Sequence, residues 1–463
     1  MTRTTLASCV LLLTLSAAAF GQARLTGADL TGVVTDQSGG VLPGSTVTVT
    51  NMETNVSRTV STDGSGRYVV PALPPGTYRI RVELASFTTR TSEGVVLTLG
   101  QSVASDFTLE LSTAREEVTV TGNVPFVDMN RTEVSTVISQ QFIDNLPING
   151  RNFIGFSVIT PGVSTDKTPQ QGASATSGLS FTGQRARSNN IMVDGLDNND
   201  LVVGAVRAVF SQEAIREFQV LTDSYSAEFG KASGCVVNIV TKSGTNTVRG
   251  NAFYYLRDKR LNAKNYFDQF DVFGNPVSFE KAPFHQQQWG ATVGGPVKKD
   301  RSFYFLSAER TGTKDSRLVT IDPQAAALLT SIGFPVETGN VSANTTNSEV
   351  FGKLDHQWTP ERSFTVRGNF ADIARDGVDD YGGTVAKSLG STQLRTDWGL
   401  SAAETDVWSD RWLNELRTQF AHEDQTIQSL DPTCPDACVN QDQGGPTLEI
   451  TGVASVGRQR FTP

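Results

Sequence analysis

The sequence is poor in the residues that enzymes and metal proteins need in groups. It holds three histidines in 463 residues, His285, His356 and His422, far apart along the chain. No His/Cys cluster at ligand spacing accompanies them, which argues against a zinc site and against a histidine base in a catalytic group. The Gly-rich stretches at 382–383 and 444–445 are not followed by Lys-Ser/Thr, so no phosphate-cradling loop is expected. Charge is sparse at 19% of residues, and acidic: 39 Lys+Arg stand against 48 Asp+Glu, a net charge of −9. With no basic stripe, nucleic acid is excluded as the expected partner. Beyond the N-terminus there is no long apolar run, so a membrane-resident form of this chain must cross by strands closed into a barrel. No catalytic grouping and no cofactor is implied.

What is present begins with a targeting segment. Arg3 supplies a positive start, Leu6 to Phe20 is apolar, and Gly21-Gln22-Ala23 offers small residues where a signal peptidase reads them. Cleavage after Ala23 is predicted. The run is too short, and too interrupted by Ser and Thr, for a transmembrane anchor. Leu6-Ala7-Ser8-Cys9 has the outline of a lipoprotein box, but its cysteine precedes the apolar core, so lipidation is not expected. Of the four cysteines, Cys9 leaves with the leader and Cys235 reads as a small buried residue. Cys434 and Cys438 lie in Cys-Pro-Asp-Ala-Cys within a Pro/Asp/Gln/Gly-rich stretch. In an exported chain this pair is expected to form a short disulfide that staples a loop.

Residues 24–111 read as short alternating strands broken by turns at 36–40 and 62–66, the spacing of a β-sandwich of seven or so strands. Gly32-Val-Val-Thr-Asp36, Leu42-Pro-Gly44, Gly66-Arg-Tyr68 and Leu73-Pro-Pro-Gly-Thr-Tyr78 occur in order. Together they resemble the carboxypeptidase regulatory-like domain, a transthyretin-like sandwich without peptidase residues of its own.

A polar linker at 112–122 follows. Within it Glu117, Val118, Thr119, Val120 and Thr121 alternate in the way of a strand that adds to another sheet edge. The segment resembles the TonB box of outer-membrane receptors, which implies that these five residues contact the periplasmic energy-coupling protein TonB.

Residues 123–247 change character. A short helix is predicted over 137–145, capped by Ser139 and stopped at Leu146-Pro147. Asn149-Gly-Arg-Asn-Phe153, Thr160-Pro-Gly-Val163, Phe181-Thr-Gly-Gln-Arg-Ala-Arg187 and Asn190-Ile-Met-Val-Asp-Gly195 come next, the last a strand into a tight Asp-Gly turn. Ala214 to Val220, Tyr225 to Gly230 and Val236 to Asn246 close the set. The ordered motifs resemble the plug domain of TonB-dependent receptors, above all the Oar-like branch, which carries a regulatory-like domain in front. The resemblance spans 25–463 and is strongest at 146–310. On that reading Arg151, Arg185 and Arg187 are hypothesised to face the lumen and hold the plug against barrel acids.

In residues 248–463 alternation of period two dominates. Val350, Leu354 and Trp358 oppose Lys353, Asp355 and Gln357; Phe364, Val366 and Phe370 oppose Thr365, Arg367 and Asn369; Trp412, Leu416 and Phe420 oppose Leu413, Glu415, Arg417 and Gln419, where only Leu413 breaks the pattern. Gly294 to Leu306 reads as a hairpin. The expected architecture is therefore mainly β: a transthyretin-like β-sandwich, an α+β plug, then the N-terminal part of an antiparallel transmembrane β-barrel. Some seven to nine strands are expected here, against about 22 in plugged transporters, so a truncated barrel is predicted.

Asp194, Asp197 and Asp200 offer oxygens of the kind calcium takes, but not at EF-hand spacing, and a structural strand turn is the expectation. The functional expectation is a TonB-powered receptor in the outer membrane, its sandwich in the periplasm, importing an unidentified large or scarce extracellular ligand. The alternative is a surface protein for adhesion or for carbohydrate or peptide binding, anchored in outer-membrane lipid by its barrel.

Overall fold

The computed structural model describes residues 25–112, 117–121, 134–146, 148, 151, 153–165, 179–200, 206–226, 228–264, 281–377, 381–409, 412–431 and 447–458. The expected leader, and Cys434 and Cys438, lie outside them. The chain divides into two compact units. One gathers residues 1–131 with the short stretches 357–364 and 404–416; the other holds 132–356, 365–403 and 417–463.

In the first unit, Val/Thr alternation gives strands with one buried face. β1 (Ala28–Asp36), β2 (Thr46–Asn51), β3 (Ser57–Ser61), β4 (Arg67–Leu73), β5 (Gly76–Glu83), β6 (Thr89–Leu97), β7 (Ser102–Ala104), β8 (Phe107–Leu109) and β9 (Glu117–Thr121) make two sheets. The first runs β4-β1-β7, with β8 also on β1; the second runs β3-β2-β5-β6-β9. In β2 the valines point in and the threonines lie at or near the surface. Leu30, Val34, Val47, Val49, Ile80, Val82 and Leu97 fill the space between sheets, each contributing about 1.5–3 kcal/mol through burial.

Two glycine-rich turns set the strand order. Asp36 accepts hydrogen bonds from Ser38 N, Ser38 Oγ and Gly40 N, and Asp63 does the same for Ser65 N, Ser65 Oγ and Arg67 N. These bonds, with the Ser38 and Ser65 hydroxyls foremost, hold both carboxyls below their ordinary pKa. Gly32 is required by a close approach. A Cβ there would lie 2.0 Å from Ser105 O and 2.7 Å from the Tyr68 ring. The Tyr68 hydroxyl donates to the same Ser105 carbonyl at 2.6 Å.

In the second unit, a compact sheet is built from β10 (Val134–Ile138), β13 (Asn190–Val193), β14 (Leu196–Asp197), β15 (Ile215–Asp223) and β16 (Val236–Thr241), in the order β10-β15-β16-β13-β14. A small pair, β11 (Val163–Thr165) and β12 (Leu179–Phe181), accompanies it. Helix α1 (Gln140–Asn145) is shorter than the predicted 137–145. Val137 and Ile138 instead end β10, opposite Gln219 and Phe218 of β15; β-branched side chains favour that strand. Ser139 stands at the cap position, but its side chain makes no capping bond. β15 and β16 are buried along most of their length, and the burial takes in the polar Glu217, Gln219 and Asn238.

Most of a seven-stranded wall in sequence order lies in the same unit: β17 (Arg249–Asp258), β18 (His285–Lys298), β19 (Ser302–Val319), β20 (Gly339–Thr359), β21 (Arg362–Asp376), β22 (Ser391–Ser409) and β23 (Trp412–Ser429). β17 and β23 are its two ends. Here the usual burial is inverted. Trp289, Leu306, Val350, Leu354, Phe370, Trp398, Leu416 and Phe420 are exposed, while Gln288, Glu309, Glu349, Lys353, Arg367 and Asp397 are buried. A water-soluble sheet does the opposite. Apolar-out, polar-in strands are those of a barrel whose outer face meets lipid, and most of these strands exceed the roughly 9–11 residues a span requires.

Strands join by short turns at 299–301 and 360–361 and by longer segments at the opposite end. One of those segments carries a helix that the alternation did not reveal, α2 (Pro323–Ser331). Asp322 caps it, accepting from Gln324 N at 2.9 Å and Ala325 N at 3.1 Å, with proline in the first turn. α2 packs with Val319, Tyr381, Ala386 and a small ladder, β24 (Leu448–Ile450) and β25 (Ala454–Val456), in a third apolar cluster.

Candidate functional site: an ionic seam and a linker strand

The compact sheet meets the polar face of the wall, and the contact is largely charged. At the β13–β14 turn, Asp194 and Gly195 both take positive φ, 49° and 74°, the geometry of a tight hairpin turn. That conformation aims the Asp194 carboxylate at the wall. Thr241 of β16 donates to it twice, from N at 2.9 Å and Oγ1 at 2.8 Å. Arg367 of β21 lies 3.3 Å away and Lys353 of β20 3.9 Å away. Arg367 also donates to Val193 O at 3.0 Å, and Lys353 to Thr241 Oγ1 at 3.2 Å. Burial pushes the Asp194 carboxyl up, but Lys353, Arg367 and Thr241 together outweigh it and hold the carboxyl below the ordinary range. It is a fixed anion between two cations.

A second contact has the opposite polarity. Arg207, on the compact-sheet side, pairs with the fully buried Asp397 of β22 at 2.5 Å, and Asn369 donates to the other Asp397 oxygen at 2.8 Å. Arg395 donates back to the Val206 and Arg207 carbonyls and pairs with Glu423. A third contact joins the Ser211 hydroxyl to Glu309, which also accepts from Gln288. Gln419 of β23 donates to Asp197 O at 3.2 Å. These bonds cross from 193–241 to five strands of the wall, β19 to β23. Apolar packing is thin by comparison, with Phe305 and Phe351 reaching the sheet's core. One backbone approach is tighter still: a Cβ on Gly244 would fall 2.3 Å from Tyr304 O and 2.7 Å from Gly295 O, so the chain leaving β16 passes against β18 and β19 where only glycine fits.

The sequence-predicted arginines fall differently from expectation. Arg151 finds its acid in Glu213, beside the compact sheet, and stacks over Phe253 and Tyr255 of β17 at 4.6 and 5.0 Å. Its wall contact is aromatic where a barrel acid was expected. Arg185 and Arg187 are exposed on a 3₁₀ turn. The cations that do bridge, Arg207, Lys353, Arg367 and Arg395, are separated from their partners by up to 190 residues, beyond the reach of spacing. Their one signal was charge on the inward side of alternating strands, visible at Lys353 and Arg367.

The three aspartates do not converge. Asp194 faces Thr241, Lys353 and Arg367, whereas Asp197 pairs with Lys231 and accepts from Asn199. Among the described residues no group of three or more His, Cys, Asp or Glu is placed to hold a metal ion. Cys235 is buried and free, and burial pushes its thiol pKa up.

The linker residues Glu117–Thr121 form β9, which pairs in parallel with β6 of the sandwich: Thr89 with Glu117, Arg90 with Val118, and on to Glu93 with Thr121.

Residues 29–110 match the carboxypeptidase regulatory-like domain, and residues 240–328 match the outer membrane beta barrel domain. Among curated proteins the chain is similar to the TonB-dependent transporter Oar of Myxococcus xanthus, 28% identical over 284 residues; the match covers 60% of this chain and 26% of that protein. Among solved structures it is similar to the outer membrane transporter YddB from Escherichia coli, with 11% identity and a TM-score of 0.48, covering 71% of this chain and 43% of that one. The siderophore receptor PirA from Pseudomonas aeruginosa is 15% identical with a TM-score of 0.43, covering 63% and 41%.

Proposed function

We propose that the chain is a TonB-dependent outer-membrane receptor of the Oar-like branch, a reading supported by its similarity to a TonB-dependent transporter and by its regulatory-like and outer-membrane barrel matches, and that it imports a large or scarce extracellular solute, driven through periplasmic TonB. In this reading residues 24–111 are the periplasmic accessory domain, 112–122 the handle, 123–247 the plug and 248–463 the beginning of the barrel.

The observation that carries the proposal is the ionic seam. A sheet seated on the polar side of an apolar-out wall is the arrangement of a plugged barrel. The Asp194, Arg207 and Ser211 contacts suit a gate that must move. Water can solvate the separated charges, so leaving the seat does not strand a large apolar face. Force on residues 117–121 displaces an element of low local stability and opens a path along the wall. Ligand binds at the end of the wall with the longer connections, where α2, Tyr381 and the β24–β25 ladder gather.

The test is uptake by cells carrying the full-length gene product. Radiolabelled ferric siderophore, cobalamin, maltooligosaccharide and peptide probes are compared with and without residues 117–121, and with and without TonB. The proposal expects one probe class to accumulate only when both are present. Accumulation that survives loss of Glu117–Thr121 contradicts it, and surface binding with no energy requirement supports an adhesin anchored by its barrel instead.

A further inference from the structure

The linker strand is already in use. β9 is the last member of the sheet β3-β2-β5-β6-β9, and its five residues, Glu117 to Thr121, stand opposite Thr89 to Glu93. These are the residues proposed above to pair with TonB, and β-strand addition is itself a pairing of backbone edges. We propose that the β6 edge of the sandwich is an internal parking site for residues 117–121, and that the periplasmic partner takes the strand by exchange, displacing β6. The accessory domain then regulates coupling: it sets how often the handle is free.

Three features of the sheet favour exchange. First, β9 is its only parallel member. The β2–β3, β2–β5 and β5–β6 ladders are all antiparallel, and parallel pairing is slightly the weaker per residue. Second, the junction is short, with five paired residues and a single partner strand; the other edge strand, β3, pairs as few residues with β2 but does so antiparallel, so β9 is the weaker of the two edges. Third, the edge uncovered by its departure is protected. Arg90 pairs with Glu110 at 2.8 Å and Glu93 with Arg79 at 2.6 Å, and charged side chains on an edge discourage pairing with a second copy. Parking lowers the apparent affinity for the partner by the fraction of time the strand is free, so coupling is restrained until the sandwich releases it.

The inference rests on the reading of 117–121 as the TonB-contacting segment, and the test separates the two. Ser92 and Val120 are register partners. The variant Ser92→Cys/Val120→Cys, with Cys434→Ser and Cys438→Ser to remove competing thiols, is prepared as the full-length detergent-solubilised protein. Binding of the purified C-terminal domain of TonB is measured before and after reduction, beside a variant lacking Glu117–Thr121. Parking predicts that the oxidised protein binds at least tenfold more weakly than the reduced one, whose recovery also shows that the variant is folded. Equal binding in both forms overturns the parking site, because the partner then adds to the outer edge of β9 while β6 stays paired. Undiminished binding by the deletion variant overturns instead the reading of 117–121 on which the inference rests.

Discussion

At the scale of single residues, charge position matters more than charge number. Asp194 was legible in the sequence as a turn residue, because Asp-Gly at the end of an alternating run signals a tight hairpin. Its partners were not, since Lys353 and Arg367 lie far along the chain and only the fold brings them to 3.9 and 3.3 Å. Removing the anion leaves two buried cations facing each other without compensation. Asp194→Asn is therefore expected to cost about 3–5 kcal/mol, the range for breaking a buried pair, read as a lower midpoint of plug unfolding in denaturant; an unchanged midpoint refutes the seam's role. The pH dependence has a definite sign. Because the folded-state pKa of Asp194 is depressed, its contribution is fully present above the ordinary carboxylate value of 3.8 and is lost as pH falls through the lower folded value. Acidification below that ordinary value is thus expected to loosen the wild-type seat while leaving the seat of Asp194→Asn less affected.

At the scale of elements, period-two alternation carried most of what could be read. The sandwich strands, the β18–β19 hairpin and the lipid-facing stripe on β20, β21 and β23 all follow from it. It failed where a pattern changed within a few residues. Val137 and Ile138 sat next to a helix-capping serine, yet their pairing with β15 won over helix propensity. Helix α2 was hidden because Asp-Pro reads as a turn as readily as a helix start. Its dependence on that cap is testable: Asp322→Ala is expected to cost the helix about 1 kcal/mol. Amide exchange over residues 324–331 should rise roughly fivefold while exchange in β15 stays constant. Unaltered exchange in α2 means that packing against the third apolar cluster, and not the cap, holds it. The linker strand shows a different limit. Its strand character was readable from Glu-Val-Thr-Val-Thr, but which edge receives it is a property of the folded sandwich.

At the scale of the whole molecule, a wall shows apolar side chains outward and holds a compact sheet by ion pairs on its polar face. The inverted burial follows from what each face meets: hydrocarbon outside, a charged seat inside. The central claim is that this sheet leaves its seat for solute to pass. The most direct measurement joins sheet to wall where they already touch. In the full-length protein, Arg207→Cys and Asp397→Cys replace one ion pair of the seam and are bridged by a short, cleavable thiol cross-linker. Uptake of the probe found to accumulate in cells is then followed before bridging, after bridging and after cleavage. Movement of the plug predicts that bridging stops uptake while the probe still binds at the cell surface, and that cleavage restores it. Uptake at full rate by the bridged protein contradicts the account.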